Sequence, residues 1–275
     1  MLRAVLLLCC GAAVTPLAQA QSLQMNGRWE QGGLIVGRTD AGAQVWFNEQ
    51  ALPVSSDGVF VFGFHRDDPA LASIRVRDAQ GHEHTETHSV VQRDYPVQRI
   101  DGLPDKMVTP PKAVLDRIAD DANRVKAARS HELPRTDFAD GFVWPVQGPL
   151  SSVYGSQRIL NGVPKQPHYG VDIAVPTGTP IVASAGGVVE MADPDLYYTG
   201  GTVIIDHGAG VSSTYLHMSR LDVKPGQEVK RGQTIGAVGA TGRVTGPHLC
   251  FRYNWRESRL DPQLLLPTHG EGATH

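Results

Sequence analysis

Cysteine is scarce in this chain of 275 residues: Cys9 and Cys10 fall at the start and Cys250 stands alone near the end. A small scaffold stapled by several disulfides is therefore excluded. An excess of basic residues is also missing. The 25 Lys and Arg face 28 Asp and Glu, the formal charge is −3, and the cations are scattered. Nothing in that balance points to a nucleic-acid partner. The apolar run at residues 4–14 is too short to span a bilayer comfortably.

Hydrophobic content of 41% with 19% charged residues fits a folded globular protein. The length suits two modest domains, each with its own core. Residues 1–20 read as a secretory signal peptide. Arg3 supplies the positive start, residues 4–14 the apolar region, and Ala18-Gln19-Ala20 the cleavage site. Cleavage before Gln21 removes Arg3, so −3 becomes −4. The mature chain would be exported, to the periplasm or beyond the cell, with no stable membrane insertion; a retained anchor is the alternative. Cys250 then has no internal disulfide partner. It is buried and inert, paired with another chain, catalytic, or bound to a metal.

Residues 21–103 carry short strand-like runs, among them Leu34-Ile35-Val36, Val45-Trp46-Phe47 and Ser73-Ile74-Arg75-Val76. Turn signals such as Ser56-Asp57-Gly58 separate them. This spacing predicts a small all-β sandwich, read as an immunoglobulin-like accessory domain. The run from Val59 to Phe64 is apolar at both parities and predicts a strand buried on both faces. His82, His84 and His88 sit at even spacing but read as the wet side of a hairpin arm, with no acid or Cys expected as a partner. Residues 104–140 read as a helical connector and linker. The helix is expected over residues 110–129, capped by Thr109, opened by Pro110 and Pro111, with Leu115, Ile118, Ala122 and Val125 as an apolar stripe. Residues 141–267 are rich in strand and turn signals with almost no helix, which predicts an antiparallel β domain. Residues 268–275 read as a disordered tail.

The chemistry concentrates in that last domain. On a strand, side chains two apart share a face. In His168-Tyr169-Gly170-Val171-Asp172-Ile173-Ala174-Val175, His168, Gly170 and Asp172 would face one way, and Tyr169, Val171 and Ile173 a core. In His248-Leu249-Cys250-Phe251-Arg252-Tyr253-Asn254, His248, Cys250, Arg252 and Asn254 share one face and Leu249, Phe251 and Tyr253 the other. This alternation turns Cys250 to the side of His248, favouring a metal or catalytic role over inert burial.

The pattern resembles the M23 (LytM/lysostaphin-type) zinc metallopeptidases, which cut peptide bonds in bacterial peptidoglycan. Their H-x-x-x-D motif matches at His168 and Asp172, and their isolated His at His217 in Ser213-Thr214-Tyr215-Leu216-His217. Their late H-x-H matches at His248, with Cys250 standing where the family has its second His, a zinc ligand. Supporting segments such as Gly170-Val171-Asp172-Ile173 and Val229-Lys230-Arg231-Gly232-Gln233-Thr234 also look like the family's. The resemblance covers nearly all of residues 141–267. It implies a mostly β fold with a C-terminal antiparallel peptidase domain of the LytM type. It further implies one zinc ion held by His168, Asp172 and Cys250, with His217 and His248 as catalytic residues, acting on peptidoglycan peptides. A hydrolytic site needs three protein ligands and one open position, and nitrogen, oxygen and sulfur are all accepted zinc donors. Arg158, Asn161 and Arg252 are candidates to face the groove without an assigned role.

Three other readings compete. A catalytically silent relative could bind peptidoglycan or activate another cell-wall hydrolase; it predicts an eroded site. A cysteine hydrolase would use Cys250 as nucleophile with His217 or His248 as base, and leaves His168 and Asp172 unexplained. A biotinyl- or lipoyl-type carrier would share strand-turn chemistry with Val223-Lys224-Pro225-Gly226, but the chain lacks a suitable lysine at a hairpin tip. A divisome or hydrolase partner is not specified by the sequence.

Overall fold

The computed structural model describes residues 23–102 and 110–268. The expected leader, with Cys9 and Cys10, and all of the expected tail but Thr268 lie outside the described residues, as does Thr109. Among the described residues, no helix is long and apolar enough to cross a membrane.

The chain is mostly β, as its alternating apolar runs predict. Its first strands are β1 (Gln24–Gly27), β2 (Leu34–Arg38), β3 (Gln44–Phe47), β4 (Gln50–Leu52), β5 (Val59–Gly63), β6 (Leu71–Arg77) and β7 (Glu83–Ser89). They form two antiparallel sheets, ordered β1-β2-β5 and β4-β3-β6-β7. Phe47 and Phe62 stack across the two sheets at 4.5 Å. Every residue of β5 is buried, so this strand is covered on both faces. On β7, Glu86 lies between His84 (3.0 Å) and His88 (2.9 Å), and His88 stacks on Trp29. The absence of a nearby acid, expected for this His cluster, does not hold; Glu86 engages the imidazoles singly along an extended arm.

Strand β8 (Val97–Ile100) pairs in parallel with β10 (Gln157–Leu160), which also forms a hairpin with β11 (Val163–Pro164). The connector helix α1 runs over Leu115–Ala128, shorter than the expected 110–129. Pro111 is extended, at φ −57° and ψ 143°, and a tight turn at Lys112–Val114 precedes the helix. The prolines thus lead into the helix rather than opening it. The stripe expected to seat it is only half used: Leu115 is 46% exposed, and Asp121 and Ala128 are the buried positions. Charge does much of the seating. Arg117 meets Asp195 at 2.9 Å, Arg124 pairs with Asp193, and Asp121 accepts from the Tyr197 backbone N–H at 2.7 Å. The polar stretch read as a linker also contains a buried Phe138.

The remaining strands are β9 (Leu150–Ser152), β12 (Val171–Ile173), β13 (Pro180–Val182), β14 (Gly187–Leu196), β15 (Gly200–Gly208), β16 (Val211–Leu221), β17 (Glu228–Val229), β18 (Thr234–Val238), β19 (Leu249–Trp255) and β20 (Ser258–Leu260), followed by helix α2 (Pro262–Leu265). The main sheet is ordered β17-β14-β15-β16-β19-β12-β9. Register aligns Leu216, Cys250, Asp172 and Ser152 in one row, and Ile204, Thr214 and Arg252 in the next. Val203, Ile205, Tyr215, Leu249, Phe251, Val171 and Ile173 are fully buried on the opposite face. That apolar core continues to the N-terminal sheets, where Phe47 meets Trp255. The core fixes one sheet face rigidly and leaves the other for chemistry, with α1 along one side of it.

Candidate metal and catalytic site

Alternation across β12 and β19 delivers the expected arrangement. Asp172 and Cys250 are direct register partners with apolar neighbours sunk in the core. The strand at β12 is shorter than the expected run, and His168 lies outside it, anchored by its N–H to Ser156 O at 2.8 Å. Gly170 permits the close approach of β12 to β19. A Cβ there would lie 2.5 Å from Phe251 O and 2.6 Å from the Arg252 side chain.

One donor atom each of His168, Asp172 and Cys250 lies within 4.8 Å of the others. His168 Nε2 is 3.2 Å from Asp172 Oδ1 and 3.4 Å from Cys250 Sγ. Metal–ligand bonds of about 2.0–2.3 Å at tetrahedral angles separate ligand atoms by about 3.4 Å. Asp172 Oδ1 is buried and forms no hydrogen bond of regular geometry; His168 Nε2, at 3.2 Å, is its ion-pair contact. An orphaned carboxylate oxygen, an imidazole nitrogen and a sulfur at these separations fit a divalent ion. Ser152 Oγ lies 3.0 Å from His168 Nδ1 and fixes the ring so that Nε2 turns to the site.

His217 reaches the site by a different device. Strict alternation along β16 would send it to the core with Tyr215. A bulge between Gly201/Val203 and Met218/Tyr215, with φ of 66° at His217, re-aims the side chain. Its N–H donates to Thr199 O at 2.9 Å, and its Nδ1 lies 2.9 Å from Thr241 O. His248 Nδ1 is 2.9 Å from Gly246 O. A carbonyl only accepts, so both rings carry a proton on Nδ1 and leave Nε2 as the nitrogen available to the site. The two rings lie 4.8 Å apart, and His248 Nε2 is 3.7 Å from Asp172 Oδ1.

Without metal, the cluster shares its protons unevenly. Burial disfavours the His168 cation, but Asp172 and Cys250 outweigh it and push His168 up to about 9. Burial likewise opposes ionisation of Asp172, yet His168, then His248, hold it down at about 2. Burial raises the Cys250 thiol, and Arg252, His168 and His217 together bring it down to about 6.

The structure thus gathers all five expected residues. Of the three groove candidates, Arg252 lines a groove beside the site, while Arg158 and Asn161 fall on the β10–β11 hairpin and its turn. Ser152, Thr241 and the Gly246 carbonyl escaped sequence reasoning, because only the strand register and the loop closures bring them to the three imidazoles.

Residues 166–262 match Peptidase family M23. Peptidoglycan DD-endopeptidase ShyA of Vibrio cholerae is 49% identical over 104 residues, 37% of this chain and 24% of that protein. Cell division protein DipM of Caulobacter vibrioides is 35% identical over 132 residues, 46% of this chain and 21% of that protein. A crystal structure of an M23 peptidase from Pseudomonas aeruginosa is 32% identical, covers 86% of this chain and 95% of its own, and superposes with a TM-score of 0.64. The chain belongs to peptidase family M23. It spans between a fifth and a quarter of the length of the curated relatives it matches.

Proposed function

We propose that this protein is an exported, zinc-dependent endopeptidase that hydrolyses peptide stems or cross-links of bacterial peptidoglycan. One observation carries the reading: Asp172 Oδ1, buried and without a hydrogen bond, converges with His168 Nε2 and Cys250 Sγ beside two imidazoles whose Nδ1 atoms are tied to backbone carbonyls. The relatives named for peptidoglycan endopeptidase activity support the substrate class.

His168, Asp172 and Cys250 would hold the ion, which when bound acidifies water from about 15.7 towards 7 and polarises the scissile carbonyl. His217 and His248 do the proton work. One Nε2 accepts the proton of the attacking water and returns it to the leaving amine. The other imidazole steadies the charge that develops on the carbonyl oxygen. Thr241 and Gly246 hold both rings in the tautomer this requires. The N-terminal sheets serve as an immunoglobulin-like accessory unit over residues 21–103, with 104–140 as connector and 141–267 as the peptidase unit. Cys250 is 2% exposed, which leaves a sulfur nucleophile without an approach and argues against a cysteine hydrolase.

The test is metal analysis of the purified mature protein with digestion of cell-wall sacculi, with and without chelator. Stoichiometric zinc and chelator-sensitive release of peptides are expected. Binding to sacculi without cleavage in zinc-loaded protein would overturn the reading in favour of a silent, peptidoglycan-binding role.

A further inference from the structure

Beyond the metal ligands, the same sheet face turns basic. Cys250 is followed on β19 by Arg252 and Asn254, with Thr214 opposite Arg252 on β16. Arg129, at the C-terminus of α1, and Arg259, on β20, close in from two sides. The three arginines line a groove of about 600 Å³ together with Thr214, Leu216 and Asn254.

These guanidiniums are poorly compensated. Arg129 donates to Thr214 Oγ1 at 3.0 Å, but its Nε is buried and unpartnered, and so is Arg252 Nε. With the Asn254 amide oxygen turned to it, Arg259 Nη1 donates at 2.9 Å. The carboxylates nearby are engaged elsewhere or out in solvent. Asp121 is held by Arg124 at 2.6 Å and Glu132 by Arg256 at 2.8 Å, while Glu257 is exposed. Burial first, then repulsion from Arg259 and Arg252, pulls Arg129 down to about 9. Burial and then Arg252 likewise lower Arg259. Only the Cys250 thiolate, beside Arg252, and the exposed Glu257, beside Arg129 and Arg259, offset these three half-buried cations; gathering them costs stability, and an arriving carboxylate relieves that cost. Guanidinium forks match a carboxylate in two parallel hydrogen bonds.

We propose that Arg129, Arg252 and Arg259 form a carboxylate subsite that binds an acidic group of the peptide being cut. The inference rests on the endopeptidase reading above and names what that site selects. At about 3.3 Å per residue, Arg252 stands about 6.6 Å along β19 from Cys250. An extended peptide would therefore present its carboxylate within about three residues of the scissile bond. That carboxylate belongs either to an acidic side chain or to the peptide's own C-terminus. In both cases amidation removes the charge and one of the two acceptor oxygens.

The test uses the full mature chain and one N-acetylated acidic stem peptide in four forms: free acid, side-chain amide, C-terminal amide and both amides. Affinity is measured calorimetrically on metal-free protein, and KM and kcat on zinc-loaded protein. The doubly amidated form should bind about tenfold more weakly than the free acid and show a raised KM with kcat nearly unchanged. Whichever single amide reproduces the loss identifies the carboxylate. R252Q and R259Q should bind free and amidated peptides alike. Equal binding of the free acid and the double amide by wild-type protein overturns the subsite, whether or not either variant folds. Preference for the free acid by metal-free protein with no cleavage in zinc keeps the subsite and removes the peptidase reading. Cleavage of both forms with equal kcat/KM does the reverse.

Discussion

Asp172 and Cys250 face each other as direct register partners on β12 and β19, and His168 Nε2 reaches both, at 3.2 and 3.4 Å. The proposed ligand set is thereby locked into a sheet whose reverse side is core. The unusual member is the sulfur. Two neutral imidazoles and a carboxylate around a divalent ion leave one positive charge; a thiolate in place of one imidazole leaves none. A thiolate also donates more electron density, so the ion becomes a weaker Lewis acid and its water less acidic. Cys250→His should therefore raise kcat and move the pH optimum down, read from pH profiles of peptide hydrolysis. An unchanged rate and profile would show that the sulfur does not set the activity.

Zinc affinity should depend steeply on pH. Metal ligands must be deprotonated, and in the metal-free site His168 stays protonated up to about 9. Between about 6 and 9, log K should rise by about one per pH unit as the ion displaces that proton. Below about 6 the Cys250 thiol is protonated as well, and the slope should approach about two. Competition with a chromogenic chelator from pH 5 to 9 measures both segments. A flat profile across pH 7–9 would mean that His168 is already neutral there.

Ser152→Ala should loosen His168 without touching a ligand. The hydroxyl is 3.0 Å from Nδ1 and holds the ring so that Nε2 points at Asp172 and Cys250. Loss of such a partner costs about 10–100-fold in metal affinity. The same competition titration reads the effect, and excess zinc should restore activity.

In the proposed mechanism His217 handles protons rather than metal, so His217→Ala should lower kcat by about 10²–10⁴-fold and leave zinc binding intact. Its place also shows what the sequence hides. Even spacing was enough to put Asp172 and Cys250 on one face, since Val171, Ile173, Leu249 and Phe251 could only go inward. The same rule applied to β16 sends His217 inward with Tyr215. A bulge and one left-handed residue reverse it, and neither leaves a mark in the local residue pattern. The arginine groove was hidden for another reason. Arg252 stood on the legible face, but Arg129 and Arg259 join it only through the packing of α1 and the β19–β20 hairpin. The family motif, in contrast, marked all five candidate positions, four by the family's own residue and the fifth by Cys250 in place of a His, because each motif is local.

Asp206 and His207 predict a pH dependence that only single variants expose. Both are buried side chains on β15, at 2% and 0% exposure. Burial depresses His207 from 6.5 to about 4, although the Gly186 carbonyl at 2.5 Å favours its proton. Between those values the unfolded chain binds the proton and the folded chain does not. Stability from this group therefore falls as pH drops from 6.5 to 4, by about 3 kcal/mol. Asp206 behaves oppositely. Burial raises it from 3.8 to about 6, against the backbone N–H groups of Gly208 and Leu133 that bond its ionised form. Here the folded chain binds the extra proton, so stability falls as pH rises through the same window, by about 3 kcal/mol. The two slopes nearly cancel between pH 4 and 6 in the wild type. His207→Gln should leave stability declining as pH rises across that window, and Asp206→Asn should leave it increasing. Urea titrations of metal-free protein at pH 4, 5 and 6 give both slopes. Parallel profiles for the two variants would mean that neither residue carries a shifted proton in the folded chain.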